Sequence, residues 1–260
     1  MTNPSSVRAL SFFVLFLAAF VAGAINSVAG GGTLLTFPAL LSIGVLPIAA
    51  NATSTVALVP GSFAAFHGYR DEMKDSRREV LWFAVPSLIG GVIGALFVNR
   101  VGDRAFSKAV PWLIFSATAL FAVQPLVKRW VERAGPHDPV RRAPATILFQ
   151  LFVAIYGGFF GAGMGILMLA ALGFLGVRGI HRMNGVKNLA AVCINGVAAI
   201  TFALLGRVQW PLAAVMAVGA ILGGYLGAGV AKKLGETNVR RLVIAIGAAI
   251  GLLMLVRGRA

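Results

Sequence analysis

Two polar clusters interrupt an otherwise apolar sequence, and their residue types suit holding an anion more than making or breaking covalent bonds. The first is Gly30-Gly31-Gly32-Thr33, followed after a short apolar stretch by Asn51-Ala52-Thr53-Ser54-Thr55. The second is Gly161-Ala162-Gly163-Met164-Gly165, followed by Asn184-Gly185-Val186-Lys187-Asn188. Corresponding members lie 133 residues apart: Gly30 and Gly163, Gly32 and Gly165, Asn51 and Asn184. A glycine run ends one helix and opens the next. At a helix start, backbone N–H groups lack intrahelical partners and the positive end of the helix dipole is exposed, an arrangement that binds anions. The candidate binding residues are therefore Asn51, Thr53, Ser54, Asn184, Lys187 and Asn188, with backbone N–H groups near Gly30, Gly31, Gly32, Gly163 and Gly165.

Each of these residues also has a plainer reading. Asn51 and Asn184 begin apolar segments, where an asparagine oxygen caps a helix start whether or not a ligand is present. Thr53, Ser54 and Thr55 supply hydroxyl donors, or bond between helices. Lys187 lies one turn into its segment, at the position matching Ser54. A lysine at the centre of a membrane helix costs about 2.5–3.5 kcal/mol on insertion scales, less if it reaches the interface. A cation near a helix N-terminus also opposes the dipole, and an anionic ligand offsets both terms. Arg178 and Arg182 read as topology signals and Cys193 as an inert core residue. Asn188 and Asn195 fit either a path lining or an interhelical bond.

No catalytic set accompanies these clusters. All eight acidic residues fall in loops or at segment ends, so no mid-membrane carboxylate is available as a protease dyad, proton carrier or cation site. Gly30–Thr33 lacks the Lys-Ser/Thr pair of a phosphate-binding loop, and neither a serine elbow nor a His-Glu-x-x-His metal motif is present. His67, His137 and His181 are far apart in sequence, and a single cysteine excludes an internal disulfide and a cysteine metal cluster. The chain is not expected to be an enzyme, and no metal or cofactor is called for.

The elements that position the clusters follow from composition. The 260 residues are 58% apolar and 12% charged, and several apolar runs approach the roughly 20 residues that cross a bilayer. This is an all-α, multi-pass membrane protein. The net charge of +15 would suggest nucleic acid in a soluble chain. Here the basic residues sit between apolar runs, as the positive-inside rule requires, and no nucleic-acid partner is expected.

Ten segments are expected: about 9–28, 34–45, 51–69, up to 98 from a start at Ser76–Glu79, 106–127, 145–160, 166–176, 184–205, 210–231 and 239–255. The first has the outline of a signal peptide but matches the opening of the second half, and so reads as a span. Ser76 with Glu79 has capping-box spacing. Segments 2 and 7 are too short to cross unaided, leaving eight full spans and two short or broken ones. The polar stretch 128–144, with Gly135-Pro136-His137-Asp138-Pro139, divides a first membrane repeat, 1–127, from a second, 145–260.

The 133-residue offset continues along the chain: Gly90, Gly91, Gly94 and Ala95 match Gly223, Gly224, Gly227 and Ala228. Internal duplication with short, glycine-interrupted segments in matching places points to a secondary transporter site. Gly90-x-x-x-Gly94 and Gly223-x-x-x-Gly227 read instead as close-packing faces. If all ten segments cross, 15 of the 23 Lys and Arg gather on one side and seven on the other, with Lys187 inside segment 8. If segments 2 and 7 are re-entrant, the bias weakens to 13 against nine. The first count favours five segments per half, hence inverted repeats with a cytoplasmic 128–144 stretch.

At these residues the sequence resembles the TauE/SafE family of sulfite and organosulfonate exporters, also called the toluene-sulfonate uptake permease class. The likeness rests on Gly23-Ala24-Ile25-Asn26-Ser27-Val28-Ala29-Gly30-Gly31-Gly32-Thr33, Phe37-Pro38-Ala39-Leu40 and Ala49-Ala50-Asn51-Ala52-Thr53-Ser54 in the first half. In the second half it rests on Gly157-Gly158-Phe159-Phe160-Gly161-Ala162-Gly163-Met164-Gly165 and Met183-Asn184-Gly185-Val186-Lys187. It covers nearly the whole chain. Ala171 departs from the pattern, standing where Pro38 stands in the first half. The resemblance implies a multi-pass transporter of the cytoplasmic (inner) membrane that moves sulfur-containing or related organic anions. A passive anion channel is the nearest alternative, with an intramembrane enzyme or a membrane scaffold behind it.

Overall fold

The computed structural model describes residues 4–28, 31–68, 71–73, 76–133, 139–177, 179–234 and 236–257. Among them are ten α-helices and no strand: α1 Pro4–Val28, α2 Thr33–Ser42, α3 Pro47–Gly68, α4 Arg77–Val101, α5 Asp103–Arg133, α6 Pro139–Phe159, α7 Met164–Leu175, α8 Ile180–Leu204, α9 Trp210–Leu234 and α10 Glu236–Arg257. A short 3₁₀ turn, Asp71–Met73, precedes α4. Five of the helices contain a stretch long and apolar enough to cross a membrane: α3, α4, α5, α6 and α8. The outer surface carries Leu10, Leu81, Trp112, Phe152, Leu204 and Tyr225, all well exposed. In water such a surface would drive aggregation; in lipid it faces its natural solvent.

Helix boundaries depart from expectation where proline and glycine act. Within the polar stretch 128–144 the described residues, 128–133 and 139–144, are helical. α5 continues to Arg133, and α6 starts at Pro139, where the missing N–H and fixed φ of proline suit a first helical turn. α7 and α8 are separated by Gly176 and Gly179, both at positive φ (85° and 83°), a region that costs side-chain-bearing residues. α7 runs unbroken through Ala171, whereas α2 carries Pro38 inside it. Ser76 caps α4 by position only. Its Oγ accepts from Arg182 Nε (2.6 Å) in place of a first-turn amide, and Arg182 Nη2 lies 2.9 Å from Glu79 Oε1. The capping-box pair is thus diverted to tie α4 to α8.

Helix partners recur with the two halves exchanged. α4 lies along α6, and α9 along α1; α4 also meets α8, and α9 meets α3; α3 packs on α8, and α5 on α10. Under the 133-residue offset α4 corresponds to α9 and α1 to α6, so each pairing reappears with its halves swapped. Glycine makes these contacts close. A Cβ at Gly94 would fall on Ile155 O and Phe159 N, one at Gly90 on Ala154, and one at Gly223 on the Phe20 carbonyl. Helices in lipid associate through such close packing rather than through water exclusion. Gly94→Leu is therefore expected to destabilise the fold by about 3 kcal/mol, the upper end of overpacking costs. Gly196→Ala, where nothing lies within 4 Å, is expected to be neutral. Thermal unfolding in detergent checks both.

Candidate functional site

The two glycine breaks are built differently. In the first, Asn26 near the end of α1 folds its side chain over the gap, and Oδ1 accepts from Gly31 N (2.8 Å) and Gly32 N (3.2 Å). Gly32 has φ −54°, open to any residue, so glycine is needed there for space: an added Cβ would press on the Ala22 carbonyl. Gly31 lies against the Phe121 ring in the same way. In the second break the requirement is conformational. Gly161 and Gly163 have φ of 79° and 78°, and Tyr156 OH donates to Ala162 O (2.6 Å) to hold the turn.

Both breaks open onto one small cavity. The first break contributes Asn26, Gly31 and Thr33; the second contributes Gly161, Met164 and Gly165. α8 adds Lys187, Asn188 and Asn195, and α3 adds Ser62. Ser62 and Asn195 are counterparts under the 133-residue offset, as are Gly31 and Met164, so the cavity straddles the junction of the halves. The starts of α2 and α7 both border it, bringing their amide-rich ends together. The space is about 30 Å³, room for a water molecule or two.

Its polar balance is lopsided toward donors. Lys187 is 1% exposed and its Nζ has no hydrogen-bond partner among the described residues. Asn188, 4% exposed, likewise leaves its Nδ2 unpartnered. Buried donors without acceptors are costly, and a buried ammonium more so. A solute that only accepts hydrogen bonds and carries negative charge would satisfy both.

The family profile of the sulfite exporter TauE/SafE matches residues 15–254. The chain belongs to the TauE/SafE family. Relatives of this TauE/SafE protein include a "probable membrane transporter protein" of Haemophilus influenzae, 31% identical over 242 residues covering 89% of each chain. Another is the "probable membrane transporter protein YfcA" of Escherichia coli K12, 30% identical over 257 residues, 96% of this chain and 91% of the relative. A third, "probable membrane transporter protein ORF9" of Sinorhizobium, is 28% identical over 93% of this chain and 91% of its own length. No solved structure matches the chain. TauE/SafE proteins and these relatives are described as membrane transporters, not enzymes.

In this TauE/SafE chain the sequence-derived candidates separate into two groups. Gly31, Gly165, Lys187 and Asn188 line the cavity. Gly32 and Gly163 sit in the breaks beside it, and Gly30 lies outside the described residues. Asn51, Thr53, Ser54 and Asn184 do not line it. Asn51 and Asn184 are not helix starts either. Proline at Pro47 and the positive-φ Gly179 begin α3 and α8 about a turn earlier, so each asparagine is an interior helical residue and Lys187 is two turns in. The α3 start is already occupied by a carboxylate: Ile48 N donates to Asp103 Oδ1 (2.9 Å). Asn51 Nδ2 donates to Phe159 O (3.0 Å), joining α3 to the end of α6. Thr53 Oγ1 accepts from Gln209 N (3.0 Å), and Ser54 Oγ shares a 2.6 Å hydrogen bond with Thr36 Oγ1 of α2.

The helix starts that border the cavity are thus those of the short helices. Asn26 and Tyr156, which shape the breaks, were not among the binding candidates. The signal for Asn26 was present: a lone amide side chain five residues before Gly31 in an apolar segment can reach forward to cap the break.

Proposed function

We propose that this protein is a secondary transporter that carries a small anion across the cytoplasmic membrane, with Lys187, Asn188 and the starts of α2 and α7 holding the solute. The observation that carries this reading is the pair of buried donors without acceptors, Lys187 Nζ and Asn188 Nδ2, in one cavity between two helix starts. An ionisable residue inside a membrane bundle marks a solute path more often than a structural contact. The cavity's small volume favours a compact oxyanion, such as sulfite, over a bulky aromatic sulfonate.

The halves, 1–127 and 145–260, would be inverted repeats joined on the cytoplasmic side. The exchange of helix partners between halves supports that arrangement. So do the short, glycine-broken α2 and α7 at matching positions. Eight helices would cross fully. α1, α9 and α10, at 25, 25 and 22 residues, have the length, since a 20-residue helix spans about 30 Å. In this scheme Asn51 joins the halves through Phe159 O, and neither Asn51 nor Asn184 is a ligand.

The test is flux into liposomes holding purified protein, screened with sulfite, thiosulfate, alkyl sulfonates and carboxylates. Saturable uptake and counterflow of a small oxyanion, at least tenfold over empty vesicles, are expected. Fast flux that neither saturates nor exchanges would favour a passive channel. No flux of any anion, with the protein still folded, would overturn the reading.

A further inference from the structure

The exchange of helix partners is uneven around α2. α7 packs along α5, yet α2, its counterpart, meets α10, the counterpart of α5, only lightly. Beside α2 and α10 a cleft of about 930 Å³ opens to the outside of the helix bundle. Leu35 and Ala39 of α2 and Leu253 and Met254 of α10 line its apolar wall. Arg104 and Lys108, one turn apart at the start of α5, also line it. Both are exposed, and neither makes a hydrogen bond or ion pair with a described residue. Among the described residues no carboxylate lines the cleft; nearby Asp103 is engaged with Ile48 N.

We propose that this cleft is a binding site for one anionic phospholipid. The headgroup phosphate is held by Arg104 and Lys108, and an acyl chain fills the gap between α2 and α10. The shape and charge fit together. An apolar cleft on a membrane protein takes up lipid tails, and the paired cations in its wall select a negative headgroup. Basic pockets between membrane helices recognise anionic lipid headgroups on this principle. Two neighbouring exposed cations with no acid between them repel each other, and a phosphate relieves that repulsion. The α2 start borders the solute cavity while its later residues wall the cleft. A lipid seated here would therefore hold the position of α2 relative to α10. The site does not depend on which solute the protein carries.

Native mass spectrometry of the full chain, released from detergent after titration with dioleoylphosphatidylglycerol or dioleoylphosphatidylcholine, tests this. The wild type is expected to retain one phosphatidylglycerol and at least fivefold less phosphatidylcholine. The double change Arg104→Gln with Lys108→Gln is expected to lower phosphatidylglycerol retention at least fivefold. Arg129→Gln, an exposed basic residue toward the far end of α5, is expected to change nothing. Ala39→Trp fills the cleft but keeps both cations, and is expected to lower retention to a similar degree. Unchanged retention in the Gln pair, or in Ala39→Trp with the cations intact, would overturn the proposal; the latter would reduce it to surface charge. Equal protection of the protein by inorganic phosphate would also overturn it, as would a protein dimer that phosphatidylglycerol fails to displace from this face.

Discussion

Lys187→Met is expected to reduce anion flux at least 100-fold while leaving the protein as stable as the wild type or more so. The ammonium is fully buried and has no acceptor among the described residues, so in the empty protein it is a cost without a compensating bond. On insertion scales a lysine at helix centre is about 2.5–3.5 kcal/mol unfavourable. Methionine fills nearly the same volume and is at home in an apolar helix. Removing the charge should therefore raise the unfolding temperature by a few degrees, while the solute loses its one fixed counter-charge. That opposition between stability and activity is the mark of a residue kept for function. Lys187→Arg keeps the charge but crowds a cavity of about 30 Å³, so partial loss is expected. The measurements are liposome flux and thermal unfolding on the same preparations. If flux survives in Lys187→Met, the lysine is not part of the site. If stability falls together with flux, its role is structural.

The second large effect is expected at Asn26, where two substitutions separate architecture from electrostatics. Asn26→Asp keeps an acceptor for Gly31 N and Gly32 N, and a carboxylate strengthens both bonds. The first break should hold and the unfolding temperature should not fall. The added negative charge, however, borders the cavity. At about 5 Å and an effective dielectric of about 20, it repels a bound anion by roughly 3 kcal/mol, on the order of a 100-fold loss in affinity. Asn26→Leu instead strands two buried N–H groups, each costing about 1–3 kcal/mol, and should lower stability and transport together. Wild-type flux in a stable Asn26→Asp protein would show that the anion does not sit in this cavity.

The ten helices could be read from the chain because apolar runs of spanning length, punctuated by glycine, proline and charge, leave few alternatives in lipid. The constant 133-residue offset between the glycine breaks was legible as well. Lys187 was conspicuous because a charge in an apolar segment is costly wherever the segment ends up. Asn51, Thr53 and Ser54 show where such reading stops. Their side chains can donate or accept, and the sequence pattern carries no record of which neighbour takes the bond. That neighbour is Phe159 O for Asn51, Gln209 N for Thr53 and Thr36 for Ser54, separated in the chain by 108, 156 and 18 residues. The helix starts shifted for a related reason. Pro47 and Gly179 set where α3 and α8 begin, and the one-turn difference moved both asparagines from helix ends to helix interiors.

The amino-acid order alone therefore determined an all-helical membrane protein with two glycine-broken segments at a constant offset and a lysine within an apolar segment, because these depend on local composition and on the period of the helix. The tertiary structure decided that the breaks share one cavity, that Asn26 rather than Asn51 attends it, and that α2 meets α10 only lightly. Each of these depends on which face of one helix meets which face of another across the two halves. A helix's own periodicity relates its residues to its axis, and leaves its neighbours to be chosen by packing.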